Sequence, residues 1–257
     1  MIPQILHQMW LDKIDDEADY PEKYNTFVES FKEKNPSYEY KLWNMRMIRE
    51  LFDTAPLIKY KNFFFDMKHH IEKCDFARYA LLYTYGGLYC DLDFKCNKPL
   101  DPLLDKELLL VLEPKEHNTF FTKLMSNSFM GSVPKHSFWL GLMDDIMKTY
   151  NNILSIPVIS TTGPMKLGSY FYKTNIDDES TIIPTYYVFP YNLYNMKSKD
   201  YKENEAYIET YWTDGTNWGN DIYPLLIKEH IFVIILIVIL ILAIIWLLIK
   251  KYFIGYK

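Results

Sequence analysis

The sequence predicts an α/β protein: a mainly parallel sheet flanked by helices, plus one transmembrane helix towards the C-terminus. Three observations carry this. Strand-like and helix-like segments alternate from Ile5 to Phe52, the pattern of strand–helix–strand units. A helical segment from His70 to Tyr85 passes through Gly86-Gly87 into an extended run ending at Phe94. The stretch from Ile231 to Ile249 is wholly apolar. About 20 such residues span the hydrocarbon core of a bilayer as a helix, and a core helix would keep a polar face that this stretch lacks.

Taken in order, Ile5–Trp10 reads as the first strand, and the acidic run Asp12–Asp19 as a loop. Pro21 opens a helix at a position where its missing N–H costs nothing. Phe27, Val28 and Phe31 form that helix's apolar stripe, and Asn35-Pro36 ends it. Tyr38–Trp43 is a second strand, and Asn44 caps a short helix over Met45–Phe52. Leu57–Asp66 is aromatic and helical. In the helix His70–Tyr85, Phe76, Ala80 and Tyr83 make one apolar line, widened by Ala77 and Leu81. Gly86-Gly87 fits a left-handed stop, and Leu88–Phe94 reads as a strand running into a turn. Glu107–Leu112 and Asn127–Gly131 are further strands. Pro134 opens a helix through Phe138, Leu142 and Ile146. Thr161-Thr162-Gly163-Pro164 is a loop before a short helix. Thr181–Phe189 and Ala206–Thr210 are the last strands.

The expected organisation is a catalytic domain over 1–219, a linker over 220–230, a transmembrane helix over 231–249 and a short basic tail over 250–257. The net charge of −5 gives no basic footprint, so no nucleic-acid partner is expected. The three cysteines, Cys74, Cys90 and Cys96, have neither paired nor zinc-site spacing and read as reduced thiols. The N-terminus lacks the pattern of a signal peptide. Lys250 and Lys251 after the anchor favour a cytosolic tail and a lumenal domain. Tail anchoring instead leaves the domain cytosolic, and that is the expectation: a single-pass C-terminal membrane anchor with a cytosolic catalytic domain.

The chemistry concentrates between Cys74 and Phe94. In a strand, residues two apart share a face, so Asp91 and Asp93 are expected to converge on one hard cation such as Mn2+ or Mg2+. Such ions are held by one or two carboxylates together with substrate phosphates. They neutralise the charge that develops on a leaving diphosphate. Asp75 and Arg78, three apart on a helix, share a face. Arg78 offers a cation to phosphate or sugar oxygens, and Asp75 an acceptor for sugar hydroxyls. Taken alone, Asp91-x-Asp93 reads as a solvated turn, and Asp75–Arg78 as a surface ion pair of little weight. Their combination points to a site for a metal-bound diphosphate.

The run Asp75-x-x-Arg78-Tyr79-x-x-Leu82-x-x-x-Gly86-Gly87-x-Tyr89-x-Asp91-x-Asp93 resembles the core motif of glycosyltransferase family 32, the DXD sugar-binding family. That family includes fungal α-mannosyltransferases and mannosyl-inositol-phosphoceramide synthases. Ile2–Trp10, Asn35–Trp43, Asn127–Met130 with His136, and Thr161–Pro164 resemble other segments of it. The likeness covers residues 1–219 and is strongest over 70–100. It implies a GT-A-like, Rossmann-type fold, a sugar-nucleotide donor (GDP-mannose or a UDP-sugar), a divalent metal and retention of anomeric configuration. By matching positions it makes Asp91, Asp93, Asp75 and Arg78 catalytic, and Trp10, Asp75, Arg78, Tyr79, Gly87, Asp91 and Trp218 donor-binding, with Trp10 near the nucleobase. Asp91 and Asp93 would bind the metal. The family often carries His before a Ser-Trp pair near the domain end. Here Tyr211 and Asn217-Trp218 stand at those places, so Asp214 and Asn217 are the candidates for a third protein ligand. His7 either meets the donor or fills the core. His136 and the pair His69-His70 read as structural and solvated respectively.

The expected function is a membrane-anchored, metal-dependent retaining hexosyltransferase, with mannose the first choice, acting on a lipid or glycan hydroxyl. The alternative is an inactive, membrane-tethered sugar- or nucleotide-binding protein of the same fold. Glycoside hydrolysis would need a separate acid–base carboxylate pair, which the sequence does not single out. Nucleotidyl transfer would want a Gly-Ser loop before the aspartates, and Leu88 follows the glycines instead.

Overall fold

The computed structural model describes residues 1–115, 124–151, 158–174, 176, 181–191, 197–198, 201–202, 204–210, 235 and 237–246. The chain divides into two compact units, Met1–Asp214 and Gly215–Lys257.

In the first unit the elements follow the predicted alternation. They are β1 (Ile5–Met9), α1 (Asn25–Lys34), β2 (Glu39–Trp43), α2 (Met45–Leu51), α3 (Lys61–Phe65) and α4 (His70–Tyr85). Then come β3 (Gly87–Cys90), β4 (Phe94–Cys96), β5 (Leu108–Leu112), β6 (Met125–Ser132) and α5 (Ser137–Thr149). α6 (Pro164–Lys173), β7 (Ile182–Ile183) and β8 (Ile208–Thr210) complete the unit. Local chemistry accounts for several boundaries. Asn44 caps α2 by accepting a bond from the Met47 amide at 3.0 Å. His136 caps α5 by accepting one from Phe138 at 3.3 Å, so that helix starts three residues after Pro134. His136 is thus a structural cap. His69 caps α4 in a box with Glu72.

Six strands form one sheet in the order β2-β1-β3-β6-β5-β7. β1 runs parallel to β2 and β3, and β5 parallel to β7, while β6 is antiparallel to both of its neighbours. The sheet is mixed, with parallel pairs in the majority. Strands β1, β2, β3, β5 and β7 therefore share one carboxyl edge, the edge where open α/β sheets bind ligands.

Two-residue alternation splits each central strand between two cores. Tyr89, Leu108, Leu110 and Met130 enter one, with α2, α4 and α5. Leu88, Cys90, Leu109, Val111 and Phe129 enter the other, with Phe31 of α1. Cys90 is packed there. The three cysteines are free thiols.

Two expectations need correcting. Leu88–Phe94 is not one strand: β3 ends at Cys90, a turn covers Leu92 and Asp93, and β4 pairs with β8 in a second, two-stranded sheet. Strand alternation therefore does not put Asp91 and Asp93 on one face. Thr181–Phe189 supplies only the two residues of β7. Pro184, which has no N–H to offer a ladder, is followed by a 3-10 turn over Thr185–Tyr187.

In the second unit Ile235 and residues 237–246 are helical. Among the described residues no helix is long and apolar enough to cross a membrane. The other positions of 231–249, together with 211–230 and 247–257, lie outside the described residues.

Candidate active site

The carboxyl end of β3 is where the sequence motif becomes a structure. The Asp91 amide donates to Ser128 O at 2.9 Å, extending the β3–β6 ladder by one step before the chain leaves the sheet. Gln8 of β1 donates to Asp91 O at 3.1 Å and is itself held by the Tyr40 hydroxyl at 2.9 Å. Neighbouring strands thus fix the backbone of Asp91.

The side chain is fixed as firmly. The Tyr89 hydroxyl donates to Asp91 Oδ1 at 2.7 Å, and Arg78 Nη1 lies 3.2 Å from the same oxygen. Arg78 Nη1 also donates to Asn127 O at 2.7 Å, and Nη2 reaches Asp75 Oδ1 at 3.3 Å. The guanidinium lies over the Tyr89 ring, 5.0 Å from its centre. One cation therefore bridges two carboxylates. This is no surface pair: Asp75 is 1% exposed and Arg78 5%. A buried pair must be completed by further hydrogen bonds, and here it is. Asn127 Nδ2 donates to Asp75 Oδ1 at 2.8 Å, and Thr162 Oγ1 donates to Oδ2 at 2.8 Å.

Burial raises the Asp75 carboxyl from its ordinary 3.8 to about 6, against the opposing pull of Arg78, Thr162 and Asn127. Burial raises Asp91 as well, opposed by Arg78 and Tyr89. Burial also raises Tyr79, whose hydroxyl donates to Thr162 O at 2.7 Å while its ring stacks on Trp139.

The predicted residues separate into groups. Asp75, Arg78, Tyr79 and Asp91 are brought together. Asp75 and Tyr79 sit beneath the site, however, and the side chain that reaches the surface is Asp91, 30% exposed. Asp93 follows in the turn and is half-buried. Trp10 lies just past β1 on the same carboxyl edge, its ring 6.0 Å from that of Tyr24. Gly87 lies at the opposite end of β3. There a Cβ would come within 2.6 Å of Ile5 O, so Gly87 permits the close β1–β3 approach. His7 fills the core: its Nδ1 accepts from the Trp43 indole at 3.0 Å, which leaves Nε2 to donate to Gly86 O at 2.8 Å. Burial lowers its pKa to about 4. The pair His69-His70 is half-buried rather than solvated, and His70 Nε2 contacts Leu11 O at 2.6 Å. Asp214, Asn217 and Trp218 lie outside the described residues. The strand before them, β8, ends with Thr210 paired to Phe94, the residue after Asp93.

Asn127 and Thr162 are the site residues that sequence chemistry missed. Their segments resembled the family, but no spacing rule tied either to Asp75, because each arrives from a distant element.

Among the described residues no group of three His, Cys, Asp or Glu side chains is arranged to hold a metal. The donor set fits a hard divalent ion shared with phosphates. It has carboxylate oxygen on the solvent-facing Asp91, Asp93 two residues on, and a cation in Arg78. A carboxylate turn thus follows a central strand at the ligand-binding edge of an α/β sheet.

Comparison with known proteins agrees. Residues 21–110 match the family described as the glycosyltransferase sugar-binding region containing the DXD motif. Inositol phosphoceramide mannosyltransferase 1 of Schizosaccharomyces pombe is 31% identical over 179 residues, covering 67% of this chain and 52% of that protein. A glycosyltransferase of Acanthamoeba polyphaga mimivirus, L373, is 28% identical and covers 85% of this chain and 84% of that one. The UDP-bound glycosyltransferase domain of the YGT toxin superposes with a TM-score of 0.52 at 10% identity, over 71% of this chain and 79% of that one. Residues 21–110 thus carry the DXD-containing sugar-binding region of glycosyltransferases. The chain spans about half the length of the yeast mannosyltransferases it matches.

Proposed function

We propose that the protein is a membrane-anchored, metal-dependent retaining glycosyltransferase that moves a hexose from a sugar nucleotide to a lipid or glycan hydroxyl. Mannose is the sugar favoured by the likeness to inositol phosphoceramide mannosyltransferases. The observation that carries the reading is the Asp75–Arg78–Asp91 bridge, fully hydrogen-bonded and seated at the carboxyl edge of the sheet.

In this mechanism Asp91 and Asp93 would hold Mn2+ or Mg2+, which would supply charge neutralisation at the leaving diphosphate. Arg78, kept in place by Asn127 O and Asp75, adds a fixed positive charge beside the same group. Asp75 acts from behind Arg78. Trp10 and Tyr24 offer aromatic surface for the base. No protein base is assigned to the acceptor; the departing diphosphate takes the proton of the incoming hydroxyl.

Membrane attachment is supported by the second unit. All described residues of 237–246 are exposed, including Ile239, Leu240, Leu242 and Trp246 at 59–60%. Side chains apolar on every side of a helix match a lipid environment. With tail anchoring the catalytic domain faces the cytosol.

The test is a donor screen. Purified full-length protein with Mn2+ is given GDP-mannose and a panel of UDP-sugars, and nucleotide release is followed with and without chelator. Chelator-sensitive release from one donor is expected. No consumption of any donor would leave the inactive binding protein as the better reading. Protease protection on sealed membranes tests topology: a digested domain is expected, and a protected one would put it in a lumen.

A further inference from the structure

Asp75 is held by the turn from Val158 to Gly163, and that turn is itself tied to α4 one turn earlier, at Glu72. Glu72 is 1% exposed. Its Oε1 accepts from the Thr161 hydroxyl and, at 3.4 Å, from the Val158 amide. Its Oε2 accepts from the Tyr150 hydroxyl and, at 3.3 Å, from the His69 amide. Each carboxyl oxygen thus meets one hydroxyl and one backbone amide. Two neighbouring threonines are thus gripped by two acids three residues apart on one helix face: Thr161 by Glu72 and Thr162 by Asp75.

The turn is not one the chain adopts freely. Val158 has φ +64, a region disfavoured for a β-branched residue. The amides of Thr162 and Gly163 both close on Val158 O, at 3.1 and 2.7 Å. A Cβ on Gly163 would lie 2.9 Å from Val158 O and 3.4 Å from Asp75 Oδ2. Strain of this kind persists where the surroundings over-determine it, and here Glu72 supplies the restraint.

We propose that Glu72 is a positioning residue. Through Thr161 and the Val158 amide it locks the 158–163 turn so that Thr162 presents its hydroxyl to Asp75 Oδ2, which in turn aims Arg78 at Asp91. It touches neither donor nor metal. The role in turnover rests on the proposed function; the grip on the turn does not.

Full-length Glu72→Gln, Thr162→Val, Thr162→Ser and the Glu72→Gln/Thr162→Val double variant test this by two readouts. The first is donor turnover with Mn2+. Glu72→Gln and Thr162→Val should each lower kcat about tenfold, with KM within about twofold. The double variant should fall no further than the worse single, since both act through one hydrogen bond. Thr162→Ser should keep wild-type kcat. The second readout is amide hydrogen exchange, which needs no activity. Glu72→Gln should speed exchange at residues 158–163 about tenfold or more while α4 beyond Arg78 stays protected. Unchanged kcat in Glu72→Gln, multiplying losses in the double variant, or unchanged exchange at 158–163 would each overturn the proposal. Should the wild type consume no donor, the proposed function fails, and the exchange result alone decides whether Glu72 holds the turn.

Discussion

The two ends of β3 are separated by a single short strand and are held by opposite means. At its start, Gly86 and Gly87 have positive φ values of 66° and 84°, and backbone meets backbone without room for a side chain. There His7, a neutral imidazole, spans the Trp43 indole and Gly86 O. At its far end, Asp91 is surrounded by side chains that carry charge or donate hydrogen bonds: Arg78, Tyr89 and, through its backbone, Gln8. The first end spends its residues on closeness, the second on charge. The motif Gly86-Gly87-x-Tyr89-x-Asp91-x-Asp93 therefore spans β3 and the two differently built ends that flank it. Its glycines serve the fold, and its acids the proposed site.

Substitutions can break this contrast. The largest effect is expected at Gly87→Ala, where the added Cβ would approach Ile5 O to 2.6 Å at a φ unfavourable for alanine. A loss of about 3–5 kcal/mol should show as a lowered urea midpoint, and little folded protein would be left to assay. A wild-type midpoint would place the glycine's role elsewhere.

Asp91→Asn should do the reverse. Turnover should fall about 100- to 1000-fold, and its dependence on added Mn2+ should vanish, while the urea midpoint moves little because Asp75 and Asn127 O still hold Arg78. Asp93→Asn should behave alike. Unchanged turnover in both variants would remove the pair from the site.

His7→Phe sharpens the packing end. It strips the partners of Gly86 O and of the Trp43 indole, costing about 2 kcal/mol with kcat retained. His7 also carries a pH signature. Between the unfolded value of 6.5 and the folded value of about 4, the unfolded chain binds the extra proton. The stability His7 contributes is present above 6.5 and is lost as pH falls through about 4. Denaturation of His7→Phe, followed over this range, should lack that slope.

Asp75 has the opposite sign and the smallest effect. Its carboxyl is raised from 3.8 to about 6, so between these values the folded chain binds more protons and stability falls as pH rises. Turnover, which needs the carboxylate to hold Arg78, should decline below about pH 6, at most about tenfold per pH unit. Asp75→Asn should remove that acid limb from the pH–rate profile.

Local pattern was enough for α4, α1 and β2, because 3.6- and 2-residue periods and caps such as Asn44 are read from near neighbours. It was also enough to single out Asp75, Arg78 and Asp91. It failed where a segment's fate depends on a distant partner. Leu88–Phe94 looks continuous, yet β6 takes its first half and β8 its second, and the break falls at the aspartates. The sheet is mixed and mainly parallel as expected, but no local pattern encodes that β6 is the antiparallel strand. His7 stood open between donor and core until Trp43 and Gly86 closed on it.

By itself, then, the sequence determined the α/β alternation, the helix that carries an acid and a base one turn apart, the glycine stop, the two aspartates and the apolar segment 231–249. Each is written in spacing and composition within a few residues. Only the tertiary structure decided that Asp75 and Arg78 are buried rather than exposed, that Asn127 and Thr162 complete their hydrogen bonds, and that Glu72 grips the same turn. Those facts belong to contacts between residues more than 45 positions apart in the chain. Burial is what gives these few polar groups their weight, since a charge taken out of water must find every partner inside the protein.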